Sequence, residues 1–164
     1  MVVLSPWSIR AAEIRLEVPL ETGDKTRKGQ AGMPLSIEDQ FAINDLLSRL
    51  NFAIDDRDAD AWVACFTPDG SFENPESVWA GEEAHRKLVA DQVGLPRCQH
   101  IMTNLLLEGD GDRATGRANG AVFEEVDGVY SLSNFSGQEH YFVKVDGNWL
   151  IERTIRHRPK KKNV

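Results

Sequence analysis

Two side chains in this sequence are best placed to do chemistry together: an acid that closes an apolar helix and a histidine set in an apolar strand. The acid is Asp55, in Ile54-Asp55-Asp56-Arg57-Asp58, and the histidine is His100, in Cys98-Gln99-His100-Ile101-Met102-Thr103-Asn104. A carboxylate hydrogen-bonded to one imidazole nitrogen fixes the tautomer and leaves the other nitrogen free to accept a substrate proton. Each residue also has an ordinary alternative. Asp55, Asp56, Asp58 and Asp60 crowd one junction, where acids commonly cap helices or solvate turns. Asp58 suits the cap better, because the next apolar helix starts directly after it. Asp55 follows the apolar Ile54 and can point inward. His100 could equally be a core histidine satisfied by a backbone carbonyl.

The elements that must carry this pair can be read from periodicity. Ser36-Ile37-Glu38-Asp39 reads as a capping box with aspartate in the glutamate position. Behind it Ile37, Phe41, Ile43, Leu46, Leu47, Leu50 and Ile54 recur at helical spacing, predicting one buried stripe. A short helix carrying Trp62, Ala64, Cys65 and Phe66 should end in the turn Thr67-Pro68-Asp69-Gly70. Short strands near Ser71–Asn74 and Val78–Trp79 follow, then a helix over Glu82–Gln92. Beyond Arg97 the pattern becomes four long strands, near 98–108, 113–126, 129–145 and 148–157, separated by Gly/Asp turns. Helices first and an antiparallel meander afterwards make an α+β arrangement.

The helix ending in Ile-Asp and the His-x-x-Thr-Asn strand resemble the SnoaL-like family of the nuclear transport factor 2-like superfamily. They are most similar to its branch of dehydratases and dehydrochlorinases. The resemblance runs from about Leu35 to Arg158. It implies a cone-shaped α+β barrel, a curved antiparallel sheet wrapped around three N-terminal helices and enclosing an apolar cavity. It also implies a homodimer, a catalytic Asp55–His100 pair, and a pocket-facing arginine at Arg153 that stabilises a leaving group or enolate. For Arg153 the alternative is a surface arginine paired with Glu152 or Glu124. The chain departs from the scytalone dehydratase pattern at several positions. Ile54 replaces a tyrosine, Asn74 lies near another, Glu124 falls near a histidine, and Ser136 and Gln138 stand where that enzyme has a Ser-x-Asn pair. Leu50 replaces a dehydrochlorinase lysine. A conserved pair with altered surroundings implies a different substrate.

Strand alternation sorts further pocket candidates. His100 shares a parity with Cys98, Met102 and Asn104, and Glu124 with Gly120 and Val122. Tyr130, Leu132, Ser136, Gln138, His140 and Phe142 share another, as do Trp149, Ile151 and Arg153. The expected substrate contacts are Asn74, Met102, Asn104, Glu124, Ser136, Gln138 and His140, although His140 could also lie at the mouth. Bulges would break these parities. His85, on a polar helix segment, reads as a surface residue.

Composition narrows the partners. The 164 residues suit a single domain, and a net charge of -7 argues against general nucleic-acid binding. Residues 1–34 read as an extension, either flexible or a subunit-contacting arm, with Met33 an alternative start. Residues 35–158 form the domain and 159–164 a basic tail. Cys65 and Cys98 read as free thiols in a cytoplasmic protein. No apolar run is long enough for a membrane span. No histidine pair has metal-ligand spacing and no glycine loop suits phosphate, so neither metal nor cofactor is expected. The leading reading is a lyase or isomerase acting on a small apolar cyclic, polyketide-like or steroid-like molecule. The alternative is a non-catalytic ligand-binding or assembly subunit, similar to the small subunit of aromatic-ring dioxygenases.

Overall fold

The protein is described by a computed structural model covering residues 34–157. The basic tail and all but the last residue of the N-terminal extension lie outside the described residues. Three helices precede the long meander, α1 (Ile37–Asp55), α2 (Ala59–Val63) and α3 (Gly81–Ala90). Strands β1 (Phe66–Asn74) and β2 (Ser77–Ala80) fall between α2 and α3. After α3 comes a meander of β3 (Arg97–Asp110), β4 (Arg113–Val126), β5 (Val129–Val145) and β6 (Asn148–His157). The six strands form one sheet in the order β2-β1-β6-β5-β4-β3.

The sheet is mixed where an antiparallel one was expected: β1 pairs with β6 in parallel. The hairpins β3–β4, β4–β5 and β5–β6 have tight turns that enforce antiparallel pairing. Asp127-Gly128 and Asp146-Gly147 both sit at positive φ, as a two-residue hairpin turn requires. No turn joins β1 to β6, so nothing local fixes their relative direction. The expected turn at Thr67-Pro68-Asp69-Gly70 is instead an irregular stretch of β1, with a register shift between Phe66 and Ser71. Gly70 is required there because a Cβ would lie 2.9 Å from the Ile151 carbonyl oxygen.

Helix α1 begins as the sequence indicates, with the Ser36 hydroxyl accepting from the Asp39 backbone N–H at 3.0 Å. Its buried stripe starts later than expected: Ile43, Leu46, Leu47, Leu50, Ala53 and Ile54 are buried, whereas Ile37 and Phe41 are exposed. The stripe packs with Phe142, Trp149 and Ile151 of the sheet in one core. Asp39 ties the first turn to the strands, accepting from Lys144 Nζ at 2.7 Å and Trp149 Nε1 at 2.8 Å. These donors hold its carboxyl down at about 2.

His85 is not a surface residue. It is 1 % exposed, because α3 turns His85, Leu88 and Val89 inward at i, i+3 and i+4. Its Nδ1 accepts from Trp62 Nε1 at 2.9 Å, its Nε2 lies 3.0 Å from the Gly70 carbonyl, and its ring stacks on Phe66. One imidazole thus joins α2, α3 and β1.

Candidate active site

Asp55 is the last residue of α1, where the helix dipole presents its negative end and a carboxylate is disfavoured. Donors from β3 compensate. Asp55 Oδ1 lies 2.6 Å from His100 Nδ1, and the His100 backbone N–H donates to Oδ2 at 2.9 Å and to Oδ1 at 3.2 Å. Main chain and ring of one residue therefore clamp the carboxylate. The network places the His100 proton on Nδ1, leaving Nε2 as a bare acceptor. Both side chains are largely shielded, His100 at 20 % and Asp55 at 14 % exposure.

Cys98, two residues before His100 on the same face, brings its Sγ to 4.0 Å from Asp55 Oδ1. Asp55, Cys98 and His100 offer donor atoms all within 4.8 Å of one another. Ligands about 2 Å from a tetrahedral ion stand roughly 3.3 Å apart, wider than the 2.6 Å between Oδ1 and Nδ1. Burial, followed by the Asp55 charge, pushes the Cys98 thiol up. The arrangement fits a shared proton better than an ion.

His100 faces a cavity of about 190 Å³ between α1, the sheet and α3, with apolar walls from Leu50, Ile54, Trp62, Phe72 and Trp79. A second hollow of about 270 Å³ lies between α1 and β3, bordered by Leu47, Met102 and Leu105. His100 and Asn51 line both.

The other expected site residues divide. Gln138 and Asn74 line the first cavity and Met102 the second. The Asn74 Oδ1 is engaged, accepting from the backbone N–H of Glu76 and of Ser77 at the β1–β2 turn. Ser136 is buried, with its Oγ unpartnered among the described residues. His140 is fully buried and lines neither cavity, its Nδ1 3.0 Å from Thr154 Oγ1. Desolvation holds its pKa down at about 4. Glu124 lies opposite Cys98 in the β3–β4 ladder and lines neither cavity.

Three expectations fail for one reason, a bulge in each of three strands. In β3, Thr103 pairs with Asn119 and Leu106 with Arg117, so one residue is extra. Asn104 takes φ 58° there and is exposed, while Leu105 and Leu107 turn to the core in place of Asn104 and Leu106. In β5, Val122 pairs with Asn134 but Phe123 with Leu132, so Ser133 bulges and Tyr130 and Leu132 change face. In β6, Tyr141 pairs with Arg153 but Phe142 with Ile151, so Glu152 is the extra residue. Arg153 consequently faces outward and is exposed. Its guanidinium grips Glu73, with Nε and Nη2 each 2.7 Å from a carboxylate oxygen, and neither Glu152 nor Glu124 is its partner. The same bulge turns Thr154 and Arg156 inward, and Arg156 lines the first cavity, 5.9 Å from the Phe72 ring centroid.

Sequence reading missed Asn51 and Arg156 as cavity-lining residues. Asn51 carries a signal, since it stands one helical turn before Asp55 on the same face. Arg156 carries none, because simple alternation assigns it to the outer face.

Comparison with known proteins places this geometry in a family. A model of the SnoaL-like domain matches residues 35–155. A Mycobacterium tuberculosis protein of unknown function is similar at 30 % identity over 76 % of this chain and 74 % of its own, with a TM-score of 0.73. A protein from Novosphingobium aromaticivorans, described as NTF2-like with a cystatin-like fold, is 22 % identical over 77 % of this chain and 85 % of its own, TM-score 0.71. A Catenulispora acidiphila protein solved with S-DNPA is 17 % identical over 71 % and 92 %, TM-score 0.64. No protein in a search of curated proteins matches. With its α+β cone and a domain match across most of its length, the chain belongs to the SnoaL-like family.

Proposed function

We propose that this protein is a cofactor-free lyase or isomerase that removes a proton from a small, mostly apolar cyclic molecule. The observation that carries this reading is the Asp55–His100 clamp at Nδ1, on a residue that lines a cavity. As Nε2 takes the proton, positive charge appears on the ring and the neighbouring Asp55 carboxylate stabilises it. The apolar walls strengthen that attraction by excluding water. The ligand complex of the Catenulispora acidiphila relative supports a small molecule as the occupant. The test is proton exchange: cyclic ketones incubated with the protein in D2O should exchange α-protons faster with the parent than with His100→Ala, by NMR. Equal exchange would remove the base.

Arg156 takes the electrostatic role that the resemblance assigned to Arg153. Arg156→Met should lower saturated turnover by about tenfold or more through lost charge stabilisation. Arg153→Met should leave turnover unchanged and cost at most about 1 kcal/mol, because its ion pair is largely solvated. Steady-state kinetics and urea unfolding on both variants check this. The reverse ranking would restore Arg153.

A second reading, a non-catalytic assembly subunit, is favoured by the outer sheet face. Ile101, Ala121 and Phe135 align across β3, β4 and β5, with Phe123 and Leu132 in the neighbouring rank. Ile101, Leu132 and Phe135 are about half exposed, at 46 %, 55 % and 48 %. Such a patch calls for a partner, and a second copy of the chain is the one we propose. Light scattering should give a dimer, and Phe135→Lys should shift it toward monomer. A monomeric parent at high concentration would reject the dimer. No helix among the described residues is long and apolar enough to cross a membrane.

A further inference from the structure

Strand β4 presents the small residues Gly116, Ala118 and Gly120 to the interior. Gly120 stands in one rank with Met102 of β3 and Ser136 of β5. Met102 lines the hollow beside α1, and Gln138, two residues on from Ser136, lines the cavity. Gly120 thus lies on the sheet between a wall residue of one and a wall residue of the other. The Gln138 amide covers it: a Cβ on Gly120 would collide with Gln138 Nε2 and come within 3.4 Å of Ser136 Oγ. No hydrogen bond among the described residues holds that amide in place. Beside it Ser136 is only 2 % exposed, and its Oγ has no partner among the described residues. A buried hydroxyl without a partner has lost its hydration uncompensated, which points to a ligand group as the missing partner.

Size and charge point the same way. Neither space, at about 190 and 270 Å³, reaches the roughly 300 Å³ at which small-molecule sites begin, whereas both together fall within that range. The cavity carries two charged side chains, Asp91 and Arg156, and the hollow carries none, His100 being its one titratable wall residue. The Ser48 hydroxyl of the hollow is spent on the Asn44 carbonyl. Leu47, Met102 and Leu105 give it apolar walls, and the flexible Met102 adapts to what fills it. We propose that the cavity and the hollow are two ends of one binding site, which takes a ring carrying a linear apolar chain. This rests on the reading of the cavity as a small-molecule site and names the class of its ligand. The ring lies in the cavity beside His100. The chain crosses Gly120, where the Gln138 amide swings aside, and ends in the hollow. A gap that one amide fills admits a polymethylene chain and stops a second ring. A hydroxyl on the chain carbon next to the ring meets Ser136 Oγ, which can donate or accept.

Secondary alcohols on a phenyl ring, from 1-phenylethanol to 1-phenyloctanol, are the probe, with binding followed by titration calorimetry. Affinity for the parent should rise about three- to fourfold with each added methylene until the hollow is full. Gly120→Val, which fills the crossing, should abolish that rise and leave the 1-phenylethanol affinity within a factor of about two. Met102→Trp fills the hollow from its own wall and should do the same, so the test holds even where Gly120→Val does not fold. Ser136→Ala should cost the alcohols about three- to tenfold relative to the matching alkylbenzenes, with the rise along the series intact. The measurement needs no turnover, and His100→Ala should keep the rise, so loss of the base and loss of the extended site are separate results. A flat series in the parent, an unchanged rise in either plugged variant, an unchanged alcohol preference in Ser136→Ala, or no binding by the parent would each overturn the proposal.

Discussion

His100→Ala is expected to lower saturated turnover by about 10²–10⁴-fold, roughly 3–5 kcal/mol of barrier, with little change in ligand affinity. The size follows from what is lost. Without the imidazole the cavity holds no neutral acceptor positioned by a carboxylate, and the proton must pass to water. Asp55→Asn should also be severe, for a different reason. An asparagine can still accept from one donor, but its amide no longer carries the charge that stabilises the protonated ring. It can also present N–H to Nδ1 and invert the tautomer, directing the His100 proton toward the substrate. The double variant should be little worse than the poorer single variant, because two residues acting as one unit cannot be lost twice. Single-turnover kinetics on the three variants would decide the matter. Multiplicative losses would mean that the pair does not act together, and weakened binding with parental turnover would make His100 a ligand contact only.

The second large effect is on stability and concerns acid. His85 and His140 are both buried, and desolvation lowers the pKa of each, that of His140 to about 4. In the unfolded chain a histidine takes up its proton near its ordinary pKa of about 6.5. As pH falls below that value, the unfolded state gains protons that the native state refuses, and stability declines by about 1.4 kcal/mol per pH unit for each such group. For His140 the loss continues down to about pH 4 and totals on the order of 3 kcal/mol. His85 adds to it, because its Nδ1 already accepts the Trp62 indole N–H and cannot also carry a proton. Above about pH 6.5 neither group contributes any slope. The depressed carboxylates do not confuse this window. Asp39, held at about 2, gives up its contribution only below the ordinary carboxylate range. Urea unfolding should therefore show falling stability from pH 7 to pH 5, and His140→Gln should remove a large part of the slope. A flat parental profile, or an unchanged slope in the variant, would contradict the desolvation account.

Local signals in this chain carried the elements, and the family resemblance singled out Asp55 and His100. Ser36 and Asp58 cap α1 and α2, each accepting a backbone N–H three residues on. Asp-Gly pairs set two of the three hairpin turns. Ile54 and the apolar neighbours of His100 pointed both side chains inward, and Asp55 and His100 meet although 45 residues separate them. Such features are legible because capping, turn formation and amphipathic spacing depend on residues close together in the chain. His85 was misread for a related reason: its flanking charges, Glu83, Arg86 and Lys87, describe the outer side of α3 and say nothing about Trp62 and Phe66 beneath it.

The tertiary structure decided the rest, chiefly through direction and parity. No local rule orders β1 parallel to β6, because no turn connects them. The faces of β3, β5 and β6 change at Asn104, Ser133 and Glu152, where one residue more than the partner strand can pair is absorbed. Each bulge reverses every side chain beyond it, since the strand period is two. That is why Asn104 and Arg153 leave the site and Arg156 enters it. A bulge reflects the curvature that the whole sheet needs to close over α1, and the residues that carry it need no special chemistry of their own. The sequence, through its helix and strand signals and its family resemblance, therefore indicated that an acid and a histidine would meet at a cavity. The curvature of the assembled sheet decided which other side chains would meet them there.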